Sequence, residues 1–416
     1  MLSVDEAQGR VLEAVTPLPP AELKVRDTLG RVLAQDLYAR HPSPRFDNSA
    51  MDGYALRGKD ALGASEAAPV RLRLVGEVRA GDPGDIQVEP GAAVRIMTGA
   101  PVPVGADAVV PVEETAEEDH FVEVRSPTPA GRNVRPAGED VREGELLMRA
   151  GTELGPGEMA LIASHGLSPV LVYPRPRVAM IVTGDELVAP EEDVGPGRIR
   201  DSNTVALAAL LEQSGAEVLS ETRVGDDLDA TVEAFERAAR DADLVISSGG
   251  VAVGRYDYVK EVVERLGRIG LWRVAMQPGR PVVLGTVGDT PFLGLPGNPV
   301  SVHVSFEQFV RPAIRKMRGC TTFFRPRVSA ILTDRLEKKP GRLHFVRVRL
   351  ARSGEGWYAT PTGPQGSHIQ SSLILCHGLA HFDADLEVLE RGAEVIVEVW
   401  RLPVAVPPLE PEAEVE

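Results

Sequence analysis

Acidic side chains stand in three short stretches where their types and spacing could bind a divalent cation. Glu186 ends residues 183–186, Asp226 stands within residues 225–227, and Asp257 follows the small residues of a glycine-containing loop. Carboxylates gathered at one place repel one another unless a cation or protons intervene, and their oxygen atoms suit Mg²⁺. If the fold brings these stretches together, we expect a magnesium site.

The alternative role for these acids is structural. Asp185, Asp226 and Asp227 each stand before a predicted helix, where an aspartate side chain commonly accepts a backbone N–H as a cap. Taken singly, each residue favours a cap by roughly two to one. The convergence of three acidic stretches on one glycine loop favours a ligand site instead.

The glycine loop follows a predicted buried strand at 244–246 and consists of Ser247, Ser248, Gly249 and Gly250. Small side chains let a ligand approach the backbone, and the unpaired N–H groups at the start of the next helix attract an anion. The stretch is neither a P-loop nor a dinucleotide fingerprint. A phosphate or oxyanion site is one interpretation, and a tight turn is the other, at about even odds.

Two proline-glycine loops, at residues 276–281 and 294–301, follow short apolar strands. The second precedes an amphipathic helix predicted from about 300 to 317. Rigid loops present backbone amides and Asn298 to a ligand at little entropic cost, although a turn without a ligand is an equal alternative, at about one in two. Residues 46–55, 95–100 and 135–140 also stand out, because charged residues, small residues and glycine follow one another closely in each. Single acids in such stretches are usually solvated.

The elements that would position these residues alternate regularly. Strands are predicted at 178–182, 217–222 and 244–246, with helices at 203–214 and 228–239 between them. This alternation is typical of a doubly wound, mostly parallel sheet, whose ligands bind beyond the carboxyl ends of the strands. The acidic stretches and the glycine loop all fall at those ends.

The remainder of the chain reads as further domains, so that the predicted fold class is multidomain α/β plus β. A capping box at Ser3 starts a helix at 4–16, and a helical segment at 155–163 would most economically pack on it. Short β runs lie between the two. The predicted domains are a discontinuous helix-containing linker (1–44 and 141–173), an inserted β domain (45–140), an α/β domain (174–322), a C-terminal barrel-like β domain (323–405) and a disordered acidic tail (406–416).

Composition excludes several classes of protein. The 416 residues are 43% hydrophobic, enough for three or four domains, and no apolar run approaches membrane-spanning length. We therefore expect a cytoplasmic protein with no membrane partner. The formal charge of −16 argues against nucleic-acid binding, which needs clustered cations. Two cysteines, Cys320 and Cys376, are expected to be structural thiols.

An ordered set of motifs resembles molybdopterin molybdenumtransferase, the MoeA and gephyrin E-domain family. The motifs are Asn48-Ser49-Ala50-Met51-Asp52-Gly53-Tyr54-Ala55, Arg95-Ile96-Met97-Thr98-Gly99-Ala100, Gly138-Glu139-Asp140, Thr183-Gly184-Asp185-Glu186-Leu187, Ser248-Gly249-Gly250-Val251 with Asp257-Tyr258, Gly294-Leu295-Pro296-Gly297-Asn298-Pro299-Val300-Ser301, and Gln365-Gly366-Ser367-His368. Any one of them would be weak support. Their shared order along almost the whole chain makes the resemblance specific.

The resemblance implies an enzyme of the last step of molybdenum cofactor synthesis. Such enzymes bind adenylylated molybdopterin and molybdate, insert the metal into the dithiolene and release AMP, with Mg²⁺ near the phosphates. The family has four domains, with the discontinuous linker domain serving dimerisation. It forms a homodimer whose active site lies between the α/β domain of one subunit and the β insertion of the other. Contacts with other cofactor-synthesis proteins are compatible with this role.

The resemblance also assigns residues. It gives chemical roles to Asp52, Thr98, Asp140, Glu186 and Asp226, of which the first three would come from the partner subunit's insertion. It gives Mg²⁺ to Glu186 and Asp257. Substrate contacts fall to Thr183, Gly184, Ser248, Gly249, Gly250, Gln277, Arg280, Pro296, Pro299, Ser301, Arg342 and Ser367.

Four positions depart from the family pattern. Ala252 and Arg255 stand where a serine and an acid are common, and Gln277 and Arg280 replace two lysines of a Lys-Pro-Gly-Lys-Pro loop. Gln277 removes one cation from the expected molybdate pocket, while Arg280 keeps the charge with another geometry. Two alternatives therefore stand beside the enzyme: a catalytically impaired scaffold or binding paralogue, and a related nucleotide-processing enzyme built on the same α/β domain.

Overall fold

The computed structural model describes residues 1–251, 258–354 and 356–402. They form two compact units. The first contains Met1–Ala34, Gly151–Pro156 and the described residues from Pro169 onward, and the second contains Gln35–Ala150 and Gly157–Ser168. Among these residues, no helix combines the length and the apolar character needed to cross a bilayer. The predicted tail at 406–416 and the predicted metal ligand Asp257 lie outside the described residues, as do Ala252 and Arg255.

The first helix, α1 (Val4–Ala14), begins with the predicted capping box. The Glu6 N–H donates to Ser3 Oγ at 3.1 Å, and the Ser3 N–H donates to Glu6 Oε2 at 2.7 Å. The sequence predicts that α1 packs against the helical segment at 155–163. In the structure, Val4 and Val11 of its apolar face belong to the core of the α/β domain. The helix at Pro156–Ser164, α2, falls almost entirely in the second unit.

The second unit is built on a six-stranded β sheet, which confirms the inserted β domain of the predicted fold class. Its strands are β1 (Gly53–Leu56), β2 (Val70–Val78), β3 (Ala92–Ile96), β4 (Ala108–Pro111), β5 (Thr115–Glu118) and β6 (Phe121–Val124), in the order β4-β1-β3-β2-β6-β5. Alternate residues of β1 enter different cores, Tyr54 and Leu56 on one face and Ala55 on the other. Both faces of the sheet are therefore covered.

The α/β domain in the first unit has the predicted doubly wound sheet. Its elements in chain order are β7 (Arg177–Thr183), α3 (Asn203–Gln213), β8 (Glu217–Val224), α4 (Leu228–Asp241), β9 (Leu244–Ser248), α5 (Tyr258–Leu266), β10 (Gly267–Arg273), β11 (Pro281–Val287) and β12 (Thr290–Leu295). The strand order is β8-β7-β9-β12-β11-β10, with the first four strands parallel and the last two antiparallel.

Nearly continuous apolar runs explain why β7 and β9 are interior strands of this sheet, with both faces covered. Val178 and Met180 of β7 enter one core, whereas Ala179 and Ile181 enter the core on the other face. One face is covered by α3 and the long helix that follows β12, and α4 and α5 cover the other. The carboxyl ends of β7, β8, β9 and β12 therefore share one edge.

The long helix runs from Pro299 to Met317 in three parts: α6 (Pro299–Ser305), a π-helical turn (Phe306–Val310) and α7 (Arg311–Met317). The predicted helix at 300–317 is confirmed, but its π turn was not predicted. Pro312 explains the turn, because it has no N–H and its ring crowds the carbonyl four residues earlier. The turn aims the polar side chains of Glu307 and Gln308 into the interior, where both are buried.

The C-terminal domain is a closed five-stranded barrel, which confirms the barrel-like prediction. Its strands are β13 (Arg327–Leu332), β14 (Leu343–Ser353), β15 (Gly356–Pro361), β16 (Gly378–Phe382) and β17 (Glu394–Val399). They close in the order β14-β15-β13-β17-β16-β14. A short strand at Met276–Gln277 pairs with the start of β14, with Gln277 opposite His344. The first proline-glycine loop is thereby attached to the barrel.

Shorter elements lie within and between these domains. Brief strands lie at Ala21–Leu23, Val32–Leu33, Leu37–Tyr38, Asn48–Ser49, Val134–Arg135, Leu146–Met148, Val170–Tyr173, Leu187–Val188, Ile199–Arg200, Leu336–Glu337 and Val388–Leu389. Single 3₁₀ turns lie at Val25–Asp27, Gly58–Asp60, Val112–Glu114 and Gln370–Leu373. The domain boundaries proposed from the sequence stay a prediction.

Candidate active site

The larger of two neighbouring cavities lies at the carboxyl ends of β7, β8, β9 and β12. Its volume is about 540 Å³. Ten of the residues predicted from the sequence line it: Thr183, Gly184, Glu186, Asp226, Ser248, Gly249, Gly250, Pro296, Pro299 and Ser301. The fold thus brings acidic side chains together with a loop that has almost no side chains. They meet at the sheet edge where the doubly wound pattern predicts a ligand.

Thr183 explains why the glycine loop needs two glycines. Gly249 and Gly250 have φ angles of +89° and +65°, which disfavour other residues. A Cβ atom at Gly249 would lie 2.8 Å from the Thr183 carbonyl oxygen, and one at Gly250 would lie 3.0 Å from Thr183 Oγ1. The loop therefore packs its bare backbone against the end of β7, and its other side is open to the cavity.

The carboxylate of Glu186 lies against Gly184. A Cβ atom at position 184 would approach Glu186 Oε2 to 2.6 Å, so a glycine is required for this close approach. The Glu186 carbonyl accepts the Ile199 N–H at 2.8 Å, which fixes the backbone of the loop. The side chain of Glu186 is exposed toward the cavity that it lines.

The three neighbouring aspartates have different roles. Asp227 caps α4 by accepting the Ala230 N–H at 2.7 Å, as the structural alternative predicts. Asp185 caps no helix: its Oδ1 accepts the Asp226 N–H at 3.0 Å and so holds the following acidic loop. Asp226 lines the larger cavity. One acid of the three is a helix cap, one positions the loop and one faces the cavity.

Asn203 is a cavity residue that the sequence reasoning used only as the start of a helix. Its Nδ2 donates to Ser248 Oγ at 3.0 Å and to the Gly297 carbonyl at 2.7 Å. The Ser248 hydroxyl in turn donates to the Pro296 carbonyl at 3.3 Å. Asn203 therefore ties the glycine loop to the second proline-glycine loop. The signal in the sequence was the polar run Asp201-Ser202-Asn203 ahead of an apolar helix.

The smaller cavity, of about 300 Å³, lies between the first proline-glycine loop and the barrel. Five predicted residues line it together: Gln277, Arg280, Ser301, Arg342 and Ser367. The Val300 N–H donates to the Ser367 carbonyl at 3.2 Å and joins the start of α6 to the barrel loop. Ser301 lines both cavities, so the two adjoin at this residue.

The donor atoms for a metal ion are carboxylate oxygens. Glu186 and Asp226 both line the larger cavity, and hard oxygen donors of this kind suit Mg²⁺. Within the described part of the chain, no group of three or more His, Cys, Asp or Glu side chains is arranged to hold a metal ion. The third expected acid, Asp257, lies outside that part.

The three predicted residues of the inserted domain lie in the second unit. Asp52 Oδ1 accepts both the backbone N–H of Thr98 at 2.7 Å and its hydroxyl at 2.8 Å. These two hydrogen bonds hold the pKa of the exposed Asp52 carboxyl below its usual value. Asp140 has an exposed side chain, and its N–H donates to the Ser43 carbonyl at 3.0 Å. The Asp52 carboxylate, which accepts two hydrogen bonds from Thr98, is thus ionised at neutral pH.

Family models match three consecutive parts of the chain. Residues 2–166 match the MoeA N-terminal region (domain I and II), residues 179–316 a probable molybdopterin binding domain, and residues 329–400 the MoeA C-terminal region (domain IV). Among solved structures, the chain is similar to the molybdopterin biosynthesis moeA protein from Pyrococcus horikoshii OT3, with a TM-score of 0.79 and 30% identity over 96% of this chain and 100% of that one. The fold and the cavity together define a MoeA-type protein.

Curated relatives agree along the full length. Molybdopterin molybdenumtransferase 2 of Mycobacterium tuberculosis is 40% identical over 408 residues, covering 97% of this chain and 100% of the relative. Molybdopterin molybdenumtransferase of Haemophilus influenzae is 36% identical over 402 residues, covering 96% and 98%. The chain therefore belongs to the molybdopterin molybdenumtransferase family. It is a transferase, and the resemblance inferred from its motifs is confirmed.

Proposed function

We propose that the protein inserts molybdenum from molybdate into adenylylated molybdopterin and releases AMP, forming molybdenum cofactor. The observation that carries this proposal is the pair of cavities that adjoin at Ser301. One is acidic and glycine-lined, with room for a pterin nucleotide, and the other is smaller and lined by two arginines. A reaction between a large nucleotide and a small oxyanion needs two such sites side by side.

The larger cavity would bind the phosphates of the pterin nucleotide. Backbone N–H groups of the glycine loop can approach a phosphate because Gly249 and Gly250 have no side chains. We assign Mg²⁺ to Glu186, with Asp226 close by and Asp257 as a further ligand. When bound, Mg²⁺ neutralises phosphate charge that these carboxylates would otherwise repel, and it stabilises the charge that develops as the phosphate bond to AMP breaks.

The smaller cavity would bind molybdate as a substrate. Arg280 and Arg342 supply positive charge, and the hydroxyls of Ser301 and Ser367 supply hydrogen bonds to a tetrahedral oxyanion. Gln277 supplies an amide where the family commonly has a lysine. The remaining residues around the cavity must therefore supply the positive charge that a lysine would have provided at position 277.

The active site that we propose is shared between the subunits of a homodimer. Asp52 and Thr98 form an anionic pair that, with Asp140, would reach the α/β domain of the partner subunit. We place the reaction in the cytoplasm, where other cofactor-synthesis proteins would deliver the pterin and receive the product.

Incubation of the purified protein with adenylylated molybdopterin, Mg²⁺ and molybdate tests the proposed function. Release of AMP and transfer of active cofactor to an apo molybdoenzyme are measured together, and both are expected only when molybdate is present. If the pterin binds and neither product forms, the protein is a scaffold or binding paralogue. Release of AMP without cofactor would instead favour a related nucleotide-processing enzyme.

The Glu186→Ala variant tests the proposed metal ligand. We expect AMP release to fall by about a hundredfold or more, because phosphate charge would no longer be neutralised during cleavage. The thermal unfolding midpoint should change little, since the side chain is exposed. Asp229→Ala, in the first turn of α4, is the matched control. Normal turnover in Glu186→Ala would exclude the role assigned to this residue.

A further inference from the structure

Arg347 is a buried cation directly behind the smaller cavity. Its side chain is 0% exposed, although arginine is almost never fully buried without an ionic partner. Within the described part of the chain, its guanidinium contacts neutral oxygen atoms and forms no ion pair. Burial lowers the pKa of Arg347 to about 10, so the side chain keeps its charge at neutral pH.

Most of the neutral partners of Arg347 belong to the loop that forms one wall of the cavity, and Ser372 lies in the 3₁₀ turn that follows it. Nε donates to Ser372 Oγ at 3.0 Å, and Nη2 donates to the carbonyls of Gly366 at 3.1 Å and Pro364 at 3.4 Å. The Gln365 side chain accepts the Arg347 backbone N–H at 2.9 Å and donates to its carbonyl at 3.3 Å. One residue of β14 therefore contacts the whole segment 364–366, and the Gly366 carbonyl also accepts the Ile369 N–H at 3.2 Å.

These hydrogen bonds fix the direction of two peptide groups. The bonds Pro364–Gln365 and Gly366–Ser367 are trans, and in a planar trans peptide the N–H points opposite to the C=O. Because the carbonyls of Pro364 and Gly366 point at Arg347, the N–H groups of Gln365 and Ser367 point away from it. Gln365, Gly366 and Ser367 line the cavity, whereas Arg347 lies behind them.

We propose that Arg347 is a positioning residue for the oxyanion, which turns the N–H groups of Gln365 and Ser367 toward the smaller cavity and places an uncompensated positive charge behind them. This role rests on the proposed function. A buried charge is weakly screened, and donors that are oriented in advance bind an anion without reorganising. Arg347 thus compensates from behind for the cation that Gln277 does not supply.

Two variants of Arg347 and one control test this role. Arg347→Gln removes both, and Arg347→Lys keeps the charge but cannot hold two carbonyls in a planar fork. Arg349→Gln, two residues along β14, removes an exposed arginine of equal charge. Binding of sodium molybdate is measured by equilibrium dialysis, and the molybdate dependence of AMP release is measured alongside.

We expect the dissociation constant for molybdate to rise about tenfold or more in both Arg347 variants. The affinity for adenylylated molybdopterin should stay unchanged in both, and Arg349→Gln should resemble the wild type. A merely structural role would weaken both ligands together. If folded Arg347→Gln binds molybdate as the wild type does, the proposal is overturned. If that variant fails to fold, wild-type molybdate affinity in Arg347→Lys overturns it.

Dialysis needs no turnover, so it distinguishes this inference from the proposed function. A wild-type protein that binds molybdate through Arg347 but releases no AMP would refute the proposed reaction and support the role of Arg347. A protein with normal AMP release and Arg347-independent molybdate affinity would refute only the role of Arg347. Absence of molybdate binding in the wild-type protein would refute both.

Discussion

Asn203 joins two loops that are distant in sequence, since its amide contacts residues 45 and 94 positions away. Without this amide, the Ser248 hydroxyl and the Gly297 carbonyl lose a shared donor, and the two walls of the larger cavity are no longer tied. The effect should fall on ligand binding rather than on folding, because the site is partly open to solvent.

The Asn203→Ala variant should bind adenylylated molybdopterin about thirtyfold more weakly, as expected for two lost hydrogen bonds of roughly 1 kcal/mol each, or about 2 kcal/mol together. Isothermal titration calorimetry measures the change. Gln213→Ala, at the other end of α3, removes an exposed amide and serves as the control. Unchanged affinity in Asn203→Ala would show that the loops keep their positions without the bridge.

The cysteines illustrate a simpler case at this scale. Cys320 and Cys376 are both buried and unpaired by disulfides, and burial raises the pKa of Cys376 to about 11. Burial also raises the pKa of Cys320. A thiol that stays protonated is a poor nucleophile and metal ligand, which agrees with the structural role predicted for both.

The π turn in the long helix connects three elements through one polar network. Gln8 of α1 donates to Gln308 Oε1 at 2.9 Å, and Gln308 Nε2 donates to Glu398 Oε2 on β17 at 2.7 Å. The other Glu398 oxygen lies 3.0 Å from His381 Nε2 and accepts Arg327 Nη2 at 3.0 Å. Helix α1, the long helix and the barrel are therefore held by one buried carboxylate.

The pKa of Glu398 determines the pH at which this network loses its charged carboxylate. Burial opposes ionisation, but hydrogen bonds and charge from His381, with the amide of Gln308, hold the pKa below its usual value. A carboxylate with a lowered pKa in the folded state stabilises the protein above its unfolded value of 4.5, and this contribution disappears as the pH falls through the folded pKa. The stabilisation is thus complete at neutral pH.

We expect Glu398→Gln to lower the free energy of unfolding by about 1–3 kcal/mol at pH 7, as for a lost hydrogen bond to a charged group. The difference from wild type should shrink as the pH falls from 4.5 through the lower pKa of the folded state, where the folded carboxylate also becomes neutral. Urea unfolding from pH 7 to pH 3.5 provides the measurement. Glu394→Gln, an exposed change on the same strand, is the control, and an equal loss there would argue against the buried network.

At the scale of the whole molecule, the proposal of an active site shared between subunits makes a prediction about mixed dimers. Glu186→Ala and Asp52→Ala subunits should each be inactive as homodimers. Co-expressed with different tags and purified through both, the mixed dimers should have about half of the wild-type rate, because each mixed dimer has one intact site of two. Purification through both tags and the AMP-release assay measure the recovery.

A second mixture provides the control for this experiment. Glu186→Ala and Asp226→Ala both damage the α/β domain of their own subunit, so no mixed dimer contains an intact site. Recovery in this mixture, or none in the first although mixed dimers are isolated, would contradict an active site shared between subunits.

The fold and most of the residues that line the larger cavity could be predicted from the sequence, because the local patterns of this chain are strong. Alternating strands and helices place Glu186, Asp226 and the glycine loop at one sheet edge by a general rule. Asn203 and Arg347 could not be found in this way. Their roles depend on contacts with distant loops. The polar run ahead of α3 marks a helix start but does not identify the loops that Asn203 contacts, and an arginine in a strand carries no local signal of a buried contact. The π turn could have been predicted only by knowing that the helix continues through Pro312.

Ser301 forms part of the wall of both cavities, and this has a thermodynamic consequence. A ligand that moves or orders Ser301 from one side changes the free energy of binding on the other side. By linkage, the factor by which a bound nucleotide changes the affinity for the oxyanion must equal the factor by which the oxyanion changes the affinity for the nucleotide. If the nucleotide and the oxyanion bind as proposed and both contact Ser301, this one serine couples their two binding equilibria.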